Sequence, residues 1–340
     1  MQDCGRLSAI PLRPDGVALR QAVASFAVPR LDRAVVDVLS SVVVYLALIT
    51  GACFALQVSP IAAVVLSLAS TGFLIRTFIV FHDCAHGSFL PSRRANEWLG
   101  STLGVLLYTP FNVWRREHAI HHATAGDLDH RGIGDITTLT VREYGALPWW
   151  RRLGYRLYRN PLVMFGLGPV LVVLIAPRFF SRDAARQAKR NVIATDVALA
   201  ALIGTLCWLL GWTGFLIVQM PALLATGAVG IWLFYVQHQF EDTYWQARDQ
   251  WNYEDAALNG SSYLKLPRIL QFLTGNIGLH HVHHLNARVP NYNLRAAHDQ
   301  NPGFHSVPTL TVMDGIKAVR LKLWDESRSK LVTFAEARGD

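Results

Sequence analysis

Four stretches of this chain, residues 34–56, 60–81, 192–211 and 215–236, each run for about 20 residues with almost no charge. Asp37 and Arg76 stand among the few exceptions. A helix of that length rises about 30 Å, enough to cross the hydrocarbon core of a bilayer. A buried helix of a large soluble protein can also be apolar all round. Four such stretches in two tight pairs favour the membrane, and so does a composition that is 51% hydrophobic and only 16% charged.

The connectors set the orientation. Gln57-Val58-Ser59 joins the first pair and Trp212-Thr213-Gly214 the second, both without charge, whereas Arg93-Arg94, Arg115-Arg116, Arg151-Arg152 and Lys189-Arg190 lie in the other segments. The positive-inside rule places the termini and the long middle segment in the cytoplasm. The net charge of +8 is therefore a topology signal and an affinity for anionic headgroups. Its scattered distribution argues against a nucleic-acid partner. Residues 1–33 lack the pattern of a cleaved secretory signal, so the first span is expected to stay attached. Cys4, Cys53, Cys84 and Cys207 form no CxxC pair and imply no disulfide framework. The expected organisation is an all-α integral membrane protein with a cytoplasmic N-terminal segment at 1–33, a membrane domain at 34–310 and a cytoplasmic tail at 311–340.

Of thirteen histidines, nine are concentrated in three short runs: HDCAH at 82–86, HAIHHA at 118–123 and GLHHVHHLN at 278–286. His82 and His86 are four apart and share a helix face. His118, His121 and His122 sit at i, i+3 and i+4, and His280, His283 and His284 repeat that spacing. His238 follows the fourth span. His281 is rotated about 100° from His280 and points off the shared face. Any one of these histidines alone reads best as a satisfied polar residue. Clustered without a metal, nine imidazoles would all have to stay neutral and find partners.

Nine nitrogen ligands exceed what one ion needs and suit two ions with four or five each. Imidazole accepts Zn, Cu, Fe and Ni, no cysteine lines up as a thiolate ligand, and the Glu-x-x-His pattern of soluble di-iron bundles is missing. Topology follows by counting sides. The histidines can meet only if the chain crosses an even number of times between His86 and His118, and again between His122 and His238. The shorter apolar stretches at 98–114 and 161–177 therefore read as interfacial or re-entrant, leaving four spans and a cytoplasmic helical cap. A dinuclear, histidine-rich site at a membrane surface points to oxygen activation on a lipid chain.

His82-x-x-x-His86, His118-x-x-His121-His122 and His280-x-x-His283-His284 resemble the three histidine boxes of the membrane fatty acid desaturases. The text around them, including WLFYVQHQFEDTYW at 232–245 and GNIGLHHVHHLNARVPNYNL at 275–294, is similar to bacterial and cyanobacterial acyl-lipid desaturases over roughly residues 35–310. The resemblance implies a four-span protein of the bacterial inner membrane with a cytoplasmic di-iron centre. It implies a kinked tunnel for an acyl-lipid chain, and O2 and electrons that leave a cis double bond and water. It carries over His82, His86, His118, His121, His122, His238, His280, His283 and His284 as iron ligands. Three residues between the box-one histidines lean towards an acyl-lipid substrate, and the flanking text towards a delta-12 type. No His-Pro-Gly-Gly motif of a fused cytochrome b5 is found, so a separate ferredoxin-like donor is expected.

Around the ligands, Asp83, Asn276, His281 and Asp242 are candidates to orient imidazoles, with Asp127, Asp129, Asp135 and Glu241 as further acids of that kind. His130, His298 and His305 read as surface residues and Cys84 as packing. Trp114, Tyr235 and Trp245 read as interfacial anchors or tunnel lining. Two rivals remain. A sister oxygenase (hydroxylase, conjugase or carotenoid ketolase) shares the same ligands. A metal transporter would instead carry ligands near the bilayer midplane, whereas the clustered histidines here all fall at or beyond span ends.

Overall fold

The structure, a computed structural model, describes residues 15–180 and 184–338. Cys4 and the start of the N-terminal segment lie outside the described residues. Most of the chain is helical. Among the described residues, three helices are long and apolar enough to cross a membrane: Leu31–Leu56, Pro60–His86 and Arg186–His238. Their outward side chains, among them Phe54, Ile61, Val65, Trp208 and Leu209, are exposed and apolar. That is the surface a lipid environment favours.

Pro60–His86 is the central rod. Ser59 caps its start by accepting from the Ala62 N–H, and Pro60 occupies the first turn, where its missing N–H costs nothing. Its end is set by Gly87 at φ 65°, with Gly87 N–H bonded to Cys84 O and Ser88 N–H to Asp83 O. A left-handed residue is needed there, and glycine takes it without strain. The rod packs on its neighbours through small buried residues, Ala52, Ala63, Ser67 and Ser70, which let helices approach closely. The two charges that interrupt the first two apolar windows pair with each other: Arg76 binds Asp37, and both are buried.

Arg186–His238 has 53 residues, far more than one bilayer crossing requires. Gly211 within it is non-helical, at φ 70° and ψ 165°. Both ends reach one helix, Phe111–Thr124: Asn112 N–H donates to Asn191 Oδ1, and His238 meets His121. A straight helix would hold those ends about 70 Å apart, yet Asn112 and His121 are separated by only about 14 Å of helix. The chain therefore reverses at Gly211. The reversal is tighter than a Trp212-Thr213-Gly214 connector, because one glycine absorbs the break.

The stretch at 98–114 is not one helix. Arg93–Leu106 ends, Tyr108 turns the chain at φ 57°, and Phe111–Thr124 starts after Pro110. The stretch at 161–177 is π-helical at Val163–Leu167 and Val170–Ile175, and is bent 59° from Trp149–Tyr158. It runs down beside the last long helix. Phe165 meets Tyr235 and Gly168 faces Ile231, while Gly227 lies so near Pro169 that a Cβ there would come within 2.9 Å. It then finishes with Arg178 on Asp196 and the Tyr108 carbonyl.

The all-α expectation needs one correction, since short strands also form. Leu139–Thr140 runs parallel to Leu323–Asp325, which pairs antiparallel with Lys330–Val332, and Tyr263–Leu264 pairs with Thr309–Leu310. The pairing of Leu139–Thr140 with Leu323–Asp325 ties the segment after 311 onto the rest of the chain, where Lys322 Nζ also donates to Arg159 O at 2.6 Å.

Candidate metal centre

Each histidine run is held by a different piece of backbone. His82 and His86 end the central rod. His118, His121 and His122 ride on Phe111–Thr124, which is locked to the rod by ring contacts of Phe111 and Trp114 with Phe81. His238 is the last residue of the longest helix. His280–Leu285 forms a single short helix seated by Gly278, whose Cα passes so close to Leu264 that a Cβ would meet its carbonyl at 2.5 Å.

The nine imidazoles converge and divide into two groups. His82, His86, His118, His122 and His283 form one; His121, His238, His280 and His284 form the other. In each group the candidate ligand atoms lie within 4.8 Å of one another. The groups touch, with the His122 and His284 rings stacked at 4.2 Å.

Hydrogen-bond partners fix several tautomers. His238 Nδ1 is 3.0 Å from Gly260 O, and a carbonyl only accepts, so Nδ1 carries the proton. His121 Nδ1 lies 3.1 Å from Asp135 Oδ1 and is protonated for the same reason. In the neutral form that a metal ligand needs, the Nε2 atom of each is a lone pair, and the two face each other at 3.2 Å. His280 Nε2 also stands 3.0 Å from His238 Nε2. In the other group, His122 Nε2 is 3.1 Å from His118 Nε2 and 2.9 Å from His283 Nε2, although it has at most one proton to share. His86 Nε2, His122 Nδ1, His280 Nδ1, His283 Nδ1 and His284 Nε2 are buried without partners. Each such atom costs about 1–3 kcal/mol. Opposed lone pairs and orphaned nitrogens in one place are relieved by cations, so the donor set fits metal ions.

Burial, followed by the neighbouring imidazoles, pushes His118, His122, His280, His283 and His284 well below the usual histidine range. In the metal-free protein these groups bind protons less readily folded than unfolded. The stability this neutrality represents is complete above the unfolded value of 6.5 and is lost as pH falls below it. Metal-stripped protein should therefore unfold at progressively lower temperature from pH 7 to pH 5, while loaded protein resists until its metal is released. A flat profile for the stripped protein would show that the rings are open to water.

Of the acids proposed to orient imidazoles, two reach a box histidine: Asp83 Oδ1 is 3.1 Å from His82 Nδ1, and Asp135 holds His121. Asp127 binds His130 and Arg248, and Asp129 caps the Arg248 N–H. Asp242 is exposed, and Glu241 pairs at the surface with Lys330. They follow His238 in sequence, but the chain has already left the helix. Asn276 is a turn residue at φ 58° whose amide reaches Asn291 O at 3.4 Å, so it serves the backbone rather than an imidazole.

His281 Nε2 is 3.0 Å from His298 Nδ1. That corrects the placement of His298, which is buried against His281 and Phe304 rather than lying on the surface. His130 and His305 are exposed. Cys84 packs in the main core. Trp114 stacks on His118 with centroids 4.4 Å apart. Tyr235 and Trp245 are buried rather than interfacial.

Arg159 is a residue that pattern reading missed. It is fully buried and donates to Thr137 O, Tyr235 OH and Gln239 Oε1, so it braces the residue after His238. In sequence it is one more arginine of a basic segment.

Comparison with known proteins agrees with this geometry. The chain matches the family model described as Fatty acid desaturase over residues 59–308, well over half its length. It is 45% identical over 316 residues to a fatty acid desaturase of Bacillus subtilis (strain 168), covering 93% of this chain and 90% of that one. It is 28% identical to the sn-1 oleoyl-lipid 12-desaturase of Synechocystis sp., over 66% of this chain and 64% of the other. It is 30% identical to an sn-1 acyl-lipid omega-3 desaturase (ferredoxin) of the same organism, over 65% and 62%. A histidine-lined centre at the ends of long apolar helices and these relatives lead to one conclusion: the chain belongs to the fatty acid desaturase family and is an oxidoreductase of lipid metabolism.

Proposed function

We propose that the enzyme introduces a cis double bond into an acyl chain of a membrane lipid at two iron ions on the cytoplasmic face. The opposed imidazole lone pairs, five nitrogens in one group and four in the other, are the observation that carries this reading. His82, His86, His118, His122 and His283 would hold one ion; His121, His238, His280 and His284 would hold the other. With O2, two electrons and two protons, the irons supply the oxidising power to take two hydrogens from an unactivated acyl segment and yield two waters. The protein's part is to hold nine neutral imidazoles in register. Asp83, Asp135 and the Gly260 carbonyl orient three of them, and Trp114 with Phe78 and Phe81 walls off the box-one side from water.

The chain reversal at Gly211 supports four spans, and the 163–178 segment, descending beside the last helix and finishing against Asp196, supports a re-entrant reading. The even crossing count then keeps all nine histidines on one side, with arginine-rich segments marking it as cytoplasmic. The active unit spans residues 34–310. Flanking segments 1–33 and 311–340 sit on that same side. One cyanobacterial relative is named for ferredoxin, which supports a separate ferredoxin-like electron donor.

Expression in a host that makes only saturated and monounsaturated lipids tests this reading. A new double bond in glycerolipid acyl chains, with no hydroxy acid, is expected. New hydroxy acid would point to the sister oxygenase. An unchanged profile, despite bound iron and a working donor, would sink both.

A further inference from the structure

We propose that Asn291 is a positioning residue for the metal centre, bridging Asp83 behind His82 to the Arg76–Asp37 ion pair between the first two long helices. The proposal rests on the reading of His82 as a metal ligand. Asp83 Oδ1 lies 3.1 Å from His82 Nδ1. Its other oxygen accepts twice from Asn291, from the backbone N–H at 2.6 Å and from Nδ2 at 3.0 Å. The same Nδ2 donates to Asp37 Oδ2 at 2.7 Å, and Arg76 closes the chain by binding Asp37 and the Phe272 carbonyl. His82, Asp83, Asn291 and Asp37 are 1–3% exposed and Arg76 is 9% exposed, so water replaces none of these bonds.

Local sequence builds the bridge. Pro290 precedes the helix Asn291–Asp299, and the Asn291 N–H is one of the first-turn donors that a helix leaves unpaired. It points at Asp83 instead of at solvent. The side-chain amide spends both hydrogens, one on each carboxylate, and so holds two like charges that would otherwise repel. Arg76 balances Asp37. Asp83 faces only the neutral Asn291 and His82, and its charge is balanced when a cation sits on the far nitrogen of His82. The chain therefore fixes both the tautomer and the aim of one ligand, and it links the box-one end of the rod to the helix that follows box three.

The full-length protein, purified, stripped of metal and titrated with Co(II), tests the role, because ligand-field absorption reports each site apart from turnover. Wild type should take up two equivalents. Asn291→Leu keeps the backbone N–H but loses both side-chain donors; it should bind one equivalent as wild type does and the other 10–100-fold more weakly. Asp37→Asn, which leaves the Asn291–Asp83 bonds in place, should cost less than about tenfold. Thermal unfolding checks the fold of each variant, and Asn291→Ala serves if the leucine protein does not accumulate. Two equivalents at wild-type affinity in a folded Asn291 variant overturn the proposal. Equal weakening of both equivalents also overturns it, since that marks general loosening. Wild-type protein that takes up no metal overturns the metal reading itself, and this proposal with it.

Discussion

His238→Ala should abolish desaturation and leave the protein with at most one firmly held iron per chain. His238 stands between His121 and His280, at 3.2 and 3.0 Å, and the four-histidine group has no spare nitrogen. Losing even an outer partner of a metal ligand costs about 10–100-fold in affinity, so losing a ligand itself should cost more. The remaining three imidazoles, His121, His280 and His284, would be one nitrogen short of the set that the group offers. The other group, built on His82, His86, His118, His122 and His283, should still bind its ion, which makes metal content more informative than activity alone. His121→Ala should behave alike, because His121 belongs to the same group and is aimed by Asp135. Two irons retained per chain and normal turnover would remove His238 from the ligand set.

How far the sequence could be read depended on the range of the interaction. The long apolar windows, the one-face spacing of the boxes and the lone histidine after the fourth span are local patterns, and each has a counterpart in the structure. Side-counting states only the condition under which His238 can meet the other boxes, and the contact of His238 with His121 and His280 is tertiary. What escaped was long-range and polar. Asp242 looked equivalent to Asp83 as an acid beside a histidine, yet one is exposed and the other touches His82. The difference is that Asp83 is still helical and faces the bundle, whereas Asp242 follows the helix end. Arg159 and Asn291 carry no motif, and their partners lie tens to hundreds of positions away. His298 reads as a surface residue because it lies outside the boxes, and no local pattern names His281 as its partner. Helical rotation turns His281 off the face that His280, His283 and His284 share, but it does not say what fills the other side.

That other side sets the contrast expected between neighbours in box three. His283→Ala should abolish activity and lower iron content, because His283 Nε2 lies 2.9 Å from His122 Nε2 within the five-histidine group and its ring is 4.4 Å from that of His82. His281→Ala should keep both irons and most of the activity. It should still lower thermal stability, by about 1–3 kcal/mol, because His298 Nδ1 loses its partner in a buried pocket beside Phe304 and a cavity opens where the ring was. The measurements that separate the two are iron per chain and unfolding temperature, taken on the same preparations. Iron should fall in the first variant and hold in the second, while the unfolding temperature should drop in the second even with metal bound. If both variants are equally inactive and equally poor in iron, the short helix His280–Leu285 presents a different face to the metal, and His281 belongs among the ligands.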